Sequence, residues 1–104
     1  METTPACVVL DLDGTLYHRG EPLTGAAEAV HRLRAAGLSV RFATHTFSTP
    51  PWIVESRLRG FGIEVSAGAL YSPHRPIDAF FARLMAPKPD TRVFAFVNDA
   101  TRAF

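Results

Sequence analysis

Apolar positions fall into two kinds of run along this chain, and each kind predicts an element. Residues 7–12, Cys-Val-Val-Leu-Asp-Leu, show no helical period, and a nearly continuous apolar run of that length reads as a strand buried on both faces of a parallel sheet. Ala26, Ala29, Val30 and Leu33 then recur at helical spacing. With Thr24 as N-cap and Gly37 just past the end, they predict a helix reaching about Ala36. Leu38, Val40 and Phe42 alternate, which predicts a second strand over 38–44 with those three on one face. A second helix follows, with Thr49 as cap, Pro50 at its first position, Val54, Leu58 and Phe61 as its apolar stripe, and Gly62 as its stop. Trp52 on this helix is expected to pack rather than to serve as a substrate platform. Ala69-Leu70-Tyr71 is a short apolar piece, and a third helix starts near His74 with Ile77, Phe80, Phe81 and Leu84 as its buried face. Pro87 and Pro89 end it, and residues 92–97 predict a last buried strand.

Strand, helix, strand, helix, short strand, helix, strand implies right-handed parallel crossovers. The expected fold is therefore α/β, a Rossmann-like three-layer parallel sheet with its working residues at the carboxyl ends of strands. A chain of 104 residues makes one domain at most, with a thin core, and no internal repeat or low-complexity tract divides it. A net charge of +1 gives no reason to expect nucleic acid or an anionic membrane surface as partner. No basic region leads into a long apolar segment, so neither a signal peptide nor a membrane span is expected, and the cytoplasm is the default setting. Cys7 is the single cysteine; it cannot close an internal disulfide and is expected to pack as a small apolar residue.

Chemistry concentrates where the first strand ends. Asp11 and Asp13 are two residues apart, which in a strand puts both carboxylates on one face, about 6–7 Å apart along the chain. Gly14 lets the backbone turn sharply, and Thr15 adds a hydroxyl beside the acids. Paired acids at the mouth of a strand suit a divalent cation and an anionic substrate, because the cation lets carboxylate meet phosphate. The second strand ends in Thr44-His45-Thr46-Phe47-Ser48, where a hydroxyl of Thr44 or Thr46 could hold a phosphate oxygen, helped by backbone N–H groups at the following helix start.

Asp-Leu-Asp-Gly-Thr-Leu-Tyr, residues 11–17, resembles the first motif of the haloacid dehalogenase superfamily, whose members are mostly magnesium-dependent phosphatases. Thr44 matches the second motif. His45 stands where asparagine usually follows in the cap-bearing subfamily of NagD-like and phospholysine/phosphohistidine phosphatases. The resemblance implies Asp11 as nucleophile, Asp13 as general acid and base, and Mg²⁺ held by the Asp11 carboxylate and the Asp13 carbonyl. It further implies Thr44 on a phosphoryl oxygen and a small phosphorylated substrate. Residues 16–23 resemble the flap beside the active site, although an ordinary exposed loop reads equally well.

The resemblance spans the whole chain but only the first part of the family's pattern, so residues 1–104 are expected to be the N-terminal part of the core domain, without the cap or the C-terminal core. The third-motif lysine and the fourth-motif acidic pair would lie beyond the cap. Lys88 is the only lysine, and Lys88 with Asp99 imitates those motifs, but eleven positions leave no room for the helix the family puts between them. Lys88 therefore reads as a solvated loop residue and Asp99 as a strand-end cap. The family also flanks its first strand on both sides. With the later strand missing, residues 7–12 should present an edge that invites association, so a dimer or aggregate is expected. A phosphatase weakly active or inactive alone is the leading expectation. The competing one is a non-catalytic fragment or interaction module that weakly binds Mg²⁺ or phosphate.

Other chemistries find no support. His18, His31 and His74 lack zinc-ligand spacing. Neither a GxxxxGK[ST] nor a GxGxxG loop occurs. The absence of any aspartate between Asp13 and Asp78 removes a phosphoreceiver domain, which needs an acceptor near mid-chain.

Overall fold

The computed structural model describes residues 7–90 and residue 92. Residues 93–97 of the strand expected over 92–97, and Asp99, lie outside the described residues. Eight elements follow one another: β1 (Cys7–Asp11), β2 (Tyr17–His18), β3 (Glu21–Pro22), α1 (Ala26–Ala35), β4 (Ser39–Ala43), α2 (Pro51–Gly60), β5 (Leu70–Tyr71) and α3 (His74–Met85). Strands β1, β4 and β5 form a parallel sheet in that order, with Asp11 opposite Ala43 and Phe42 opposite Leu70. The α/β class and its parallel crossovers are as the apolar pattern predicts.

One face of this sheet is closed. Val40 and Phe42 of β4 are buried in a single cluster with Val30 of α1 and Val54 and Leu58 of α2, and Leu10 packs against it. Both helices end as expected on a glycine. Gly62 N–H donates to the Arg59 carbonyl and Ile63 N–H to the Leu58 carbonyl, while Gly37 and Leu38 repeat the pattern on Arg34 and Leu33. These paired bonds satisfy carbonyls that the last turn leaves without helical donors, with both glycines at φ 86°.

The other face is open, which corrects several expectations. Along β1 the burial alternates, with Cys7, Val9 and Asp11 exposed, so this run is covered on one face rather than two. Cys7 is exposed rather than packed. Among the described residues the buried cluster formed with α1 and α2 lies on one side of the sheet. Strand β1 is the sheet edge within the described residues, as expected.

Local corrections have local causes. Neither Thr24 nor Thr49 caps a helix: the N-caps are Gly25 and Pro50, without side-chain bonds, and Pro51 takes the first helical position. On α1 the partly buried Ala27 joins Ala26, Val30 and Leu33, while Ala29 faces outward, because the apolar stripe rotates by one residue. Trp52 is 49% exposed, since its position on α2 points away from the Val54–Leu58 stripe. On α3 only His74 is buried; Phe80 and Leu84 of the expected face are about half exposed and Ile77 and Phe81 partly covered. Residues 16–23 are not an irregular loop but include a β2–β3 hairpin turned by Arg19 (φ 50°) and Gly20 (φ 80°). Positive φ at both central residues gives the turn the twist its strands require.

Candidate active site

The acidic turn is wound around one carbonyl. Leu12, fully buried between two exposed aspartates, accepts from Thr15 N–H (3.0 Å), Leu16 N–H (2.8 Å) and Tyr17 N–H (3.4 Å). Gly14 N–H returns a bond to the Tyr17 carbonyl at 2.7 Å, and its φ of 83° is the conformation that a side chain would strain. The period of two is thereby preserved, with Asp11 and Asp13 outward and Leu12 inward.

Parallel register brings the second candidate motif alongside. Asp11 lies opposite Ala43, so Thr44 leaves β4 where β1 gives way to Leu12 and Asp13. The Thr44 N–H donates to the Tyr71 carbonyl (2.9 Å), which ties the strand end to β5. The Thr44 hydroxyl oxygen accepts the Thr46 N–H at 3.1 Å. That bond uses a lone pair and leaves the hydroxyl hydrogen for an anion. Pro50 and Pro51 carry no N–H, so the helix start supplies fewer backbone donors than the position of Thr49 alone suggests.

A cleft of about 290 Å³ opens between the hairpin, the Thr44–Thr49 loop and α2. Asp13, Thr46 and Ser48 line it, together with Tyr17, Arg19 and Arg57. Of the residues singled out from sequence, the cleft thus unites Asp13 and Thr46, while Asp11 and Thr44 stand at the strand ends outside its walls. His18 Nδ1 is 3.8 Å from Asp13 Oδ1; both side chains are more than half exposed, so the pair is worth little. Among the described residues no cluster of three or more His, Cys, Asp or Glu exists, so any cation here would rest on the Asp11–Asp13 pair.

Tyr17 and Arg19 fall in the stretch that resembles the flap and Ser48 in the run after the second strand, whereas Arg57 was not singled out from sequence. Arg57 did carry a signal. Arg32 and Arg59 each pair with a glutamate four residues earlier, whereas the positions three and four away from Arg57 are Ile53, Val54, Gly60 and Phe61.

Paired acids and a threonine loop thus lie at the carboxyl ends of adjacent parallel strands in an α/β protein. Residues 8–104 match the haloacid dehalogenase-like hydrolase family, and the chain belongs to it. Over 100 residues it is 33% identical to the phospholysine phosphohistidine inorganic pyrophosphate phosphatase of Bos taurus, covering 92% of this chain and 35% of that protein. It is 37% identical over 65 residues to haloacid dehalogenase-like hydrolase domain-containing protein 2 of Rattus norvegicus, covering 62% and 25%. Its fold superimposes on the p-nitrophenyl phosphatase from Archaeoglobus fulgidus with a TM-score of 0.73 at 25% identity, over 93% of this chain and 36% of that one. The chain therefore spans between 22% and 35% of the length of the curated relatives it matches.

Proposed function

We propose that this chain is the N-terminal part of the core domain of a phosphatase acting on a small phosphorylated substrate. The observation that carries the reading is the parallel register that sets Asp11 and Asp13 beside the Thr44–Thr46 loop. Asp11 is the nucleophile, attacking phosphorus to give an aspartyl-phosphate. Asp13, in the cleft, protonates the leaving oxygen and later takes the proton of the attacking water. Thr44 and Thr46 orient phosphoryl oxygens. The oxygen-only donor set of the Asp11 carboxylate and the Asp13 carbonyl fits Mg²⁺, which when bound supplies charge neutralisation at the phosphoryl group.

The relatives' greater length supports placing the cap and the rest of the core outside these residues. No helix among the described residues is long and apolar enough to cross a membrane. The reading carries a cytoplasmic setting as the default, and self-association through β1, supported by its edge position among the described residues.

Two measurements test it. Calorimetric titration should show weak Mg²⁺ binding that Asp11→Asn removes; affinity unchanged by that substitution would take the site out of the account. Each missing electrostatic element typically costs on the order of 10²–10³ in rate, so residues 1–104 alone are expected not to hydrolyse p-nitrophenyl phosphate measurably with Mg²⁺. Turnover should appear when the remainder of a family core is supplied. Robust turnover by the chain alone, lost in Asp11→Asn, would overturn the partial-core assignment.

A further inference from the structure

Arg57 reaches the candidate cleft from the second turn of α2, half-buried, with its guanidinium carbon 5.5 Å from the centre of the Tyr17 ring. Tyr17 is 5% exposed and braced in turn by Phe61, the two rings 5.8 Å apart and tilted by 55°. A guanidinium held over an aromatic face is fixed in orientation, and its N–H edge stays available for an acceptor. Among the described residues no carboxylate pairs with Arg57, in contrast to Arg32 and Arg59. The cleft's 290 Å³ would take roughly ten waters at ~30 Å³ each, more than one phosphoryl group fills. Asp13 and Thr46 line part of it; Arg57, with Arg19 at the hairpin tip, makes the cationic part.

We propose that Arg57 is a specificity-determining residue that selects phosphomonoesters whose leaving group carries a second anionic group. The inference rests on the phosphatase reading above, because it takes the phosphoryl group to sit by Asp13 and Thr46. A neutral leaving group would leave the Arg57 charge facing only solvent. An anionic one meets a preset planar fork, and a charge-assisted pair of this kind discriminates by about tenfold or more.

Non-hydrolysable probes separate this proposal from the reading beneath it. The 104-residue chain with Mg²⁺ is titrated with methylphosphonate, phosphonoacetate and methylenediphosphonate, and binding is followed by amide chemical shifts, which report weak affinities. Phosphonoacetate and methylenediphosphonate are expected to bind about tenfold tighter than methylphosphonate, the better of the two showing whether a carboxylate or a second phosphate is preferred. In Arg57→Gln the preference should fall to within about twofold, and Arg57→Lys, which keeps charge without the fork, should fall between. Equal binding of all three probes by the native chain would overturn the proposal and leave the phosphatase reading standing. So would a preference that survives in a folded Arg57→Gln, or in Arg57→Lys if the glutamine variant does not fold. Failure of every probe to bind would overturn both.

Discussion

The two faces of the parallel sheet have different fates, although each carries a valine of β1. On one, Phe42 is wholly buried against Val30, Val54 and Leu58. On the other, Val9 is 58% exposed, one position away in β1 from Leu10, which packs against the core. A valine and a leucine adjacent in one strand thus point into a core and out of it, as the alternation of a strand demands. Hydrophobicity alone cannot tell a face that is covered from one that awaits a cover. On the open face Cys7, Val9, Ser39, Arg41 and Tyr71 are all exposed. Asp11 belongs to that same face by register, so the proposed nucleophile stands on the side of the sheet with the least burial.

The comparison can be broken most sharply in the core. Phe42→Ala should cost about 3–5 kcal/mol through lost burial and the cavity left behind, enough to unfold much of a marginal domain. Val9→Ala should stay within about 0.5–1 kcal/mol. Urea denaturation of the two variants checks the contrast, and similar losses would mean that the open face is covered in solution. The helices give a second pair. Leu58→Ala on α2 should cost about 2–5 kcal/mol, whereas Leu84→Ala on α3, at 47% exposure, should cost under about 1 kcal/mol.

Those contrasts also mark what the sequence could disclose. Apolar runs and spacings located β1, β4, α1, α2, β5 and α3, because such patterns are carried by the local sequence. They could not say which stripes are covered, since coverage depends on elements remote in sequence. Phe80 and Leu84 match the helical template as well as Val54 and Leu58 do, yet only the latter meet the sheet. The β2–β3 hairpin has two residues per strand, too few to generate a period, and its signal was the turn pair Arg19-Gly20. Asp11, Asp13, Thr44 and Thr46 were singled out as candidates because their chemistry is carried by neighbours in sequence. Arg57 was not, because what holds it is a ring on the hairpin.

Association offers a smaller effect. With β1 at the edge of the sheet among the described residues and Val9 exposed on it, Val9→Lys places a charge where a second strand would add. Light scattering should show the native chain self-associating and the variant needing roughly tenfold more protein to do so, a change worth ~1.4 kcal/mol. A native chain that stays monomeric at high micromolar concentration would remove this edge from the proposed partners.

The smallest effect lies on the open face itself. Arg41 Nη1 donates to the Tyr71 hydroxyl at 3.0 Å across β4 and β5, with both residues exposed. Cross-strand pairs of this kind contribute roughly 0.2–1 kcal/mol, because water competes for both partners and the arginine loses side-chain freedom in making the contact. Tyr71→Phe keeps the ring and removes the acceptor; Arg41→Met keeps most of the stem and removes the donor. A double-mutant cycle in urea should therefore return a coupling below about 1 kcal/mol. The value discriminates because it depends on the surroundings of the pair rather than on its length. If a second copy or another segment covers this face in solution, the pair is desolvated, and leaving one buried partner unpaired would raise the coupling to about 1–3 kcal/mol. A coupling in that range would show that the face exposed here is closed in the working protein, and it would place Asp11 at the rim of that closure.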